Sequence, residues 1–253
     1  MSEQGIRVET RGAASVAIID RPGSKNAISR ETADELEAFV QRASSDEQVR
    51  AIIITGEGTD VFVAGGDLRD FDSLSKQPVG AQQVLDMGST MNALERCSVP
   101  VIAAVQGAAL GGGCELTLAC DLVVAEQHAT FSFRQAAMGL STGWGGGSRL
   151  VERVGPMRAA QLLLLGAKVN AQRALELGLV ADVVASGTSL DRAVAWTERI
   201  ARLPRASVAG IKRMLCDVRR EHRGDALRME AEVFASLWGQ PDHLAAMDSF
   251  FRR

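Results

Sequence analysis

The chain has 253 residues, of which 46% are hydrophobic, and this suits one large domain or one domain with a small appendage. The net charge of −3 at pH 7, with mixed charges along the chain, argues against a general nucleic-acid-binding protein. No apolar run reaches the roughly 18 residues of a membrane-spanning helix, and the N-terminus carries no secretory pattern. We therefore expect a cytoplasmic protein that binds neither membranes nor nucleic acid.

The four cysteines and three histidines show neither a Cys-x-x-Cys spacing nor the spacing of metal ligands. The cysteines are expected to be buried thiols in a reducing compartment. The sequence therefore predicts no metal site.

Short strands and one helix are predicted for the beginning of the chain. Apolar runs around a short turn predict a hairpin over residues 6–10 and 15–20, and Pro, Gly and Asn predict a loop over 21–28. Ser29 is expected to cap the amphipathic helix that follows.

Two more strands lead to the first of two glycine-rich turns. A buried strand is predicted over residues 51–56, and a shorter one begins at residue 61 and runs into the Gly-Gly pair 65–66. Asp67 is then expected to cap a helix, and residues 79–96 are predicted to form another helix.

The second glycine-rich turn lies between buried strands predicted at residues 101–105 and 122–125, and a helix is predicted over 114–120. The first N–H groups of a helix have no intrahelical partner and favour a negative charge. Gly113 stands where a P-loop has its lysine, so the pattern favours an enolate or thioester oxygen over a phosphate. Glu115 lies close enough to such a site to move protons. A plain tight turn with a dipole-favoured Glu is the alternative.

The rest of the chain is predicted to be mostly helical, with a loop-rich segment over 138–149 and a strand over 180–184. Helices are predicted over residues 150–154, 156–165, 171–177, 189–203, 207–222, 224–237 and 241–252. Alternating strands and helices followed by helices predict an α/β core with a helical C-terminal part.

Several ordered motifs along nearly the whole chain resemble the crotonase (enoyl-CoA hydratase/isomerase) superfamily. The motifs lie at residues 25–28, 62–68, 107–115, 119–122, 138–140, 145–150 and 174–180. The resemblance implies an α/β fold with a crotonase-like ββα spiral core over residues 1–190, which binds acyl-CoA and carries the catalytic site. A helical C-terminal trimerisation region over 191–253 is expected to cover the active site. It also implies a homotrimer or a dimer of trimers that acts on an acyl-CoA thioester. No separate cofactor is expected, since coenzyme A is part of the substrate.

The same resemblance implies the roles of individual residues. The N–H groups of Gly66 and Gly112 would hold the thioester oxygen, and Glu115 would transfer protons. Lys25, Asn26, Ala27 and Ile28 fall on the loop that contacts coenzyme A in the family. The other substrate contacts implied are Ala64, Gly65, Asp67, Leu68, Gly111 and Trp144. For Trp144, an aromatic side chain that only anchors its loop is the alternative.

The chain departs from the family pattern at Gln135, which stands where a hydratase of this family usually has its second glutamate. An amide forms hydrogen bonds but exchanges no proton, so Gln135 is expected to position substrate or water. The first hypothesis is an enoyl-CoA hydratase or isomerase with one catalytic glutamate. Decarboxylation of a methylmalonyl- or ethylmalonyl-type acyl-CoA is the alternative, because it needs one proton donor and no second base. Arg134 would then be a candidate partner for an acidic substrate group, and a simply exposed side chain is the alternative.

Two rival hypotheses receive less support. Residues 139–143 match the Gly-x-Ser-x-Gly pattern of a serine hydrolase around Ser141, but neither a buried strand before it nor a helix directly after it is predicted. A non-catalytic module that binds CoA esters would explain Gln135. It would leave Glu115 as a costly buried carboxylate without a task.

Overall fold

The computed structural model describes residues 5–75, 77 and 79–252, without the side chain of residue 222. Its strands are β1 (Ile6–Arg11), β2 (Ala14–Ile19), β3 (Ala51–Gly56), β4 (Val61–Val63), β5 (Val101–Val105), β6 (Ala108–Leu110), β7 (Leu122–Glu126), β8 (Thr130–Ser132), β9 (Lys168–Asn170) and β10 (Asp182–Val184).

The helices follow the same chain order. They are α1 (Arg30–Ser45), α2 (Leu68–Ser75), α3 (Gly80–Asp86), α4 (Gly88–Arg96), α5 (Gly112–Ala119), α6 (Gly146–Val154), α7 (Pro156–Leu164), α8 (Ala171–Leu177), α9 (Ser189–Ala201), α10 (Arg205–Arg223), α11 (Ala226–Leu237) and α12 (Pro241–Phe251). Two 3-10 turns cover Pro22–Ser24 and Ala136–Met138.

The strands form two sheets, ordered β1-β2-β3-β5-β7-β10 and β4-β6-β8-β9. Pairing is parallel except at β1–β2 and at β8–β9. The chain passes three times from a strand of the first sheet to a strand of the second and then to helical structure, as in β3–β4–α2 and β5–β6–α5. The predicted ββα spiral is therefore confirmed, while the role of the C-terminal helices in trimerisation stays a prediction.

The inner strands of the first sheet, β2, β3, β5 and β7, are buried on both faces, which explains why they are apolar without alternation. Ile52 and Ile54 of β3 face the main hydrophobic core, whereas Ile53 faces a smaller cluster that contains Ala193 of α9. The proposed domain boundary after residue 190 thus falls near the start of a helix that packs on this sheet. Among the described helices, none combines the length and apolar character that crossing a bilayer requires.

Local sequence signals located most elements correctly. The hairpin forms as predicted, and the Ser29 hydroxyl caps α1 by accepting a hydrogen bond from the Thr32 N–H at 3.2 Å. The short strands β6, β8 and β9 were not predicted, because three residues are too few for a periodic pattern.

The prediction of one helix over residues 79–96 is wrong, since α3 and α4 are separated at Met87. The Val84 carbonyl accepts a hydrogen bond from the Trp144 indole at 2.9 Å, whereas a continuous helix would use this carbonyl for the N–H of residue 88. A side chain that inserts into the helical hydrogen-bond ladder is a known cause of such breaks.

Candidate active site

A cavity of about 250 Å³ lies where the two glycine-rich turns meet the C-terminal helices. Its walls are mostly apolar, and Glu115, Gln135 and Arg134 are the ionisable or amide side chains in the described lining. Of the residues predicted for the site, it brings together Ala64, Gly65, Gly66, Leu68, Gly111, Gly112, Glu115, Gln135 and Trp144.

The two glycine turns meet because they follow neighbouring parallel strands, β4 and β6. Gly65 has φ +107°, and a Cβ built on it would lie 3.3 Å from the Gly112 nitrogen. A Cβ on Gly113 would lie 2.2 Å from the Val63 carbonyl oxygen, a distance that no side chain tolerates. Glycine at these positions therefore lets the two turns come into contact.

The N–H groups of Gly66 and Gly112 are free to bind a ligand. Both residues line the cavity, and neither N–H donates to another residue in the part of the chain that the structure describes. Gly112 begins α5, so its N–H also lies at the positive end of a helix dipole. The arrangement suits an oxygen atom that carries or develops negative charge.

The loop of residues 25–28 lies directly beside the first glycine turn. The Ile28 N–H donates to the Gly65 carbonyl at 2.8 Å, and the Ala64 N–H donates to the Lys25 carbonyl at 3.2 Å. Lys25, Asn26, Ala27 and Ile28 hold this turn in place but do not line the cavity. Their predicted contact with coenzyme A stays a prediction.

Asp67 also lies outside the cavity lining and is buried in structural contacts. Its Oδ1 accepts a hydrogen bond from the Arg69 N–H at 3.0 Å, and its Oδ2 pairs with Arg21 at 2.9 Å. Asp67 therefore caps α2 as expected, and its predicted contact with substrate has no support from this geometry.

Glu115 is only 3% exposed and accepts hydrogen bonds on both carboxylate oxygens. Its Oε1 accepts from Gln135 Nε2 at 2.8 Å, and its Oε2 accepts from the N–H groups of Trp144 at 2.8 Å and Gly146 at 2.9 Å. Burial raises the pKa of Glu115 to about 7, the nearby Glu230 carboxylate adds to this rise, and the hydrogen bonds oppose it. Such a group can take up or release a proton near neutral pH.

Gln135 presents an unused acceptor next to Glu115. Its Nε2 is occupied by Glu115, whereas its Oε1 is buried with no hydrogen-bond partner among the described residues. Arg134, the preceding residue, is exposed at the edge of the cavity. An incoming water molecule or hydroxyl group would satisfy the Gln135 oxygen.

Trp144 both anchors its loop and forms part of the cavity wall. Its indole donates to the Val84 carbonyl, and its ring lies so close to Gly112 that a Cβ there would be 2.3 Å from a ring carbon. The two roles considered for this tryptophan are therefore compatible.

The individual residues that the C-terminal helices contribute to the cavity were not predicted. Phe234 of α11 and Met247 and Phe250 of α12 line the cavity, and Glu230 of α11 accepts hydrogen bonds near Glu115. Nothing local marks these residues, because their position depends on how the last two helices fold back onto the core.

The serine hydrolase hypothesis has no support from the geometry. Ser141 follows a 3-10 turn instead of a buried strand, and its hydroxyl donates to the Thr142 carbonyl at 3.2 Å. His128 and His243, the histidines whose side chains are described, form their hydrogen bonds with Ser186, Thr59 and Gly239.

The pKa of Glu115 predicts a pH-dependent stability. The folded protein raises this pKa from 4.5 to about 7, so it binds the Glu115 proton more tightly than the unfolded chain does. The resulting contribution to the free energy of unfolding is complete below pH 4.5 and is lost as the pH rises to about 7. When the pH is raised from 5 to 8, the unfolding free energy of Glu115→Gln should therefore increase by on the order of 2 kcal/mol relative to that of the wild type. Urea denaturation at both pH values measures this gain. The exposed Glu198→Gln serves as control, and a difference independent of pH for Glu115→Gln would contradict the assignment.

Known proteins with similar sequences identify the family of this chain. A sequence profile of the enoyl-CoA hydratase/isomerase family matches residues 10–253. A short-chain-enoyl-CoA hydratase of Clostridium acetobutylicum is 31% identical over 259 residues, covering 100% of this chain and 97% of the relative. An ethylmalonyl-CoA decarboxylase of Gallus gallus is 35% identical over 216 residues, covering 84% of this chain and 72% of the relative.

A solved structure agrees as well. The crystal structure of an enoyl-CoA hydratase/isomerase from Mycobacterium paratuberculosis superposes with a TM-score of 0.90 at 28% identity, covering 97% of this chain and 98% of the other. The chain therefore belongs to the enoyl-CoA hydratase/isomerase family, a family of enzymes that act on acyl-CoA thioesters.

Proposed function

We propose that the protein hydrates or isomerises an enoyl-CoA thioester through an enolate. The Gly66 and Gly112 N–H groups bind the thioester oxygen, and Glu115 transfers the proton. The observation that carries this proposal is the position of one carboxylate with a pKa of about 7 in the same cavity as two free backbone donors.

Each part supplies a definite share of the rate. Negative charge develops on the thioester oxygen as the enolate forms, and two fixed N–H donors stabilise it in a mostly apolar cavity. Loss of one such donor typically costs about 10²–10³ in rate, and loss of a general acid or base about 10²–10⁴.

Hydration is favoured by the unpartnered oxygen of Gln135. A water molecule that donates to this oxygen and to the Glu115 carboxylate is oriented for attack. The water oxygen bonds to the β-carbon while Glu115 takes one proton from the water. Glu115 then delivers that proton to the α-carbon of the enolate. In isomerisation Glu115 instead moves one proton between two carbons of the substrate, which also requires a single carboxylate.

Decarboxylation of a methylmalonyl- or ethylmalonyl-type acyl-CoA is the second candidate. It is favoured by the amide of Gln135, because loss of CO₂ gives the enolate directly and needs no second base. Protonated Glu115 then delivers one proton to the α-carbon. Arg134, at the cavity edge, is a cation that can pair with the substrate carboxylate, and the decarboxylase relative supports this alternative.

A paired turnover assay by mass spectrometry separates the two reactions. The purified enzyme is given crotonyl-CoA in one reaction and ethylmalonyl-CoA in another, and the products are identified by mass. We expect water addition to crotonyl-CoA. Loss of CO₂ from ethylmalonyl-CoA without hydration of crotonyl-CoA would favour the decarboxylase. No turnover of either, with CoA esters still bound, would contradict both and favour the non-catalytic module.

Two variants test the residue roles in the same assay. Glu115→Gln should lower kcat by about 10²–10⁴, and Gln135→Met should lower hydration by at least about tenfold, because it removes the water acceptor. Ser141→Ala is the control and should keep its activity.

We also propose that the chain forms a homotrimer or a dimer of trimers in the cytoplasm. The oligomer is supported by an exposed apolar stripe on α10, in which the exposed fraction is 50–57% for each of Ile211, Met214, Leu215 and Val218. The location is supported by four free thiols, which suit a reducing compartment. Light scattering of the wild type should give the mass of three or six chains. Met214→Glu should reduce that mass, and Val8→Glu, on an exposed edge strand, should not. A monomeric wild type would contradict this proposal.

A further inference from the structure

Two carboxylates share the turn of backbone that begins α6. Glu115 of α5 accepts hydrogen bonds from the N–H groups of Trp144 and Gly146. Glu230 of α11 accepts from the next two N–H groups, those of Gly147 and Ser148, at 3.0 Å each. The backbone that fixes the catalytic carboxylate is therefore fixed in turn by a residue from the C-terminal helices.

Both carboxylates approach this backbone at close range. A Cβ on Gly146 would lie 2.6 Å from Oε2 of Glu115, and a Cβ on Gly147 would lie 3.4 Å from Oε2 of Glu230. The adjacent glycines leave room for two negatively charged groups on neighbouring residues of one turn. The N-terminal dipole of α6 favours negative charge at this position.

The negative charge of Glu230 repels the negative charge of ionised Glu115. After burial, this repulsion is the second cause that raises the pKa of Glu115. Arg149 of α6 donates hydrogen bonds to the Trp144 and Gly145 carbonyls of this turn at 2.8 and 3.2 Å and pairs with Glu95 of α4 at 3.1 Å. Glu95 also pairs with Arg223 of α10. Arg153 donates to carbonyls at the far end of α5, and Arg134 lies exposed at the cavity edge.

We propose that Glu230 is a positioning residue of the active site, which orders the 144–148 turn and keeps a second negative charge behind Glu115. This inference rests on the proposed role of Glu115 as the proton-transferring group. It makes the protonation of the active site depend on how α11 docks, although α11 supplies no group to the reacting atoms.

Glu230→Gln tests the inference because glutamine keeps an acceptor and removes the charge. With the charge gone, Glu115 holds its proton less tightly, so the midpoint of the kcat/KM pH profile should move to lower pH by about one pH unit. If the ionised form of Glu115 is active, as in hydration, the variant gains activity at pH 6. If the protonated form is active, as in decarboxylation, it loses activity at pH 8.

Glu232→Gln is the matched control, since Glu232 lies on the same helix, is exposed and pairs with Arg228. Its pH profile should match that of the wild type. If Glu230→Gln does not fold, Glu230→Asp replaces it: the shorter side chain withdraws the charge from the turn, and the midpoint should again move to lower pH.

An unshifted profile in a folded Glu230 variant, with Glu115→Gln still inactive, would overturn the role of Glu230 and leave the proposed function intact. Full activity of Glu115→Gln would instead overturn the proposed function itself. The two failures are therefore distinguishable.

Discussion

The hydrogen bonds between the Glu115 carboxylate and the backbone that begins α6 are the interaction on which the rest of the site depends. No cation pairs with this buried carboxylate among the described residues, so its proton affinity is set by burial, by the nearby Glu230 carboxylate and by the hydrogen bonds that it accepts. A paired lysine or arginine would lower the pKa of this group well below neutrality. The protein instead keeps it near 7, where it can both accept and donate a proton.

The fold brings two strand ends together beside this carboxylate. Parallel pairing of β4 and β6 places a glycine turn at the end of each strand, and Gly113 lets the turns touch where any side chain would collide with the Val63 carbonyl. Two free N–H groups and Glu115 then line one cavity. Hydration, isomerisation and decarboxylation all need this arrangement. They differ in the groups bound nearby: hydration needs a water molecule at Gln135, and decarboxylation would use Arg134 to bind the substrate carboxylate.

The sequence predicted the parts of the site that depend on local patterns. Apolar strands, glycine turns and a first-turn Glu115 are adjacent in the chain, so their geometry follows from short-range rules. Contacts between distant segments were not predictable in this way. The break between α3 and α4 depends on Trp144, about sixty residues away, and Glu230 reaches the site only after α11 folds back. No periodicity or spacing encodes either contact.

The most direct test of the account is a crystal structure with an acyl-CoA analogue in which a methylene group replaces the thioester sulfur and the carbonyl is retained. We expect the carbonyl oxygen to lie about 2.7–3.1 Å from the nitrogens of both Gly66 and Gly112, with the α-carbon facing Glu115. A carbonyl oxygen bound elsewhere, with these two N–H groups occupied by water, would contradict the assignment of Gly66 and Gly112 as the donors to the thioester oxygen.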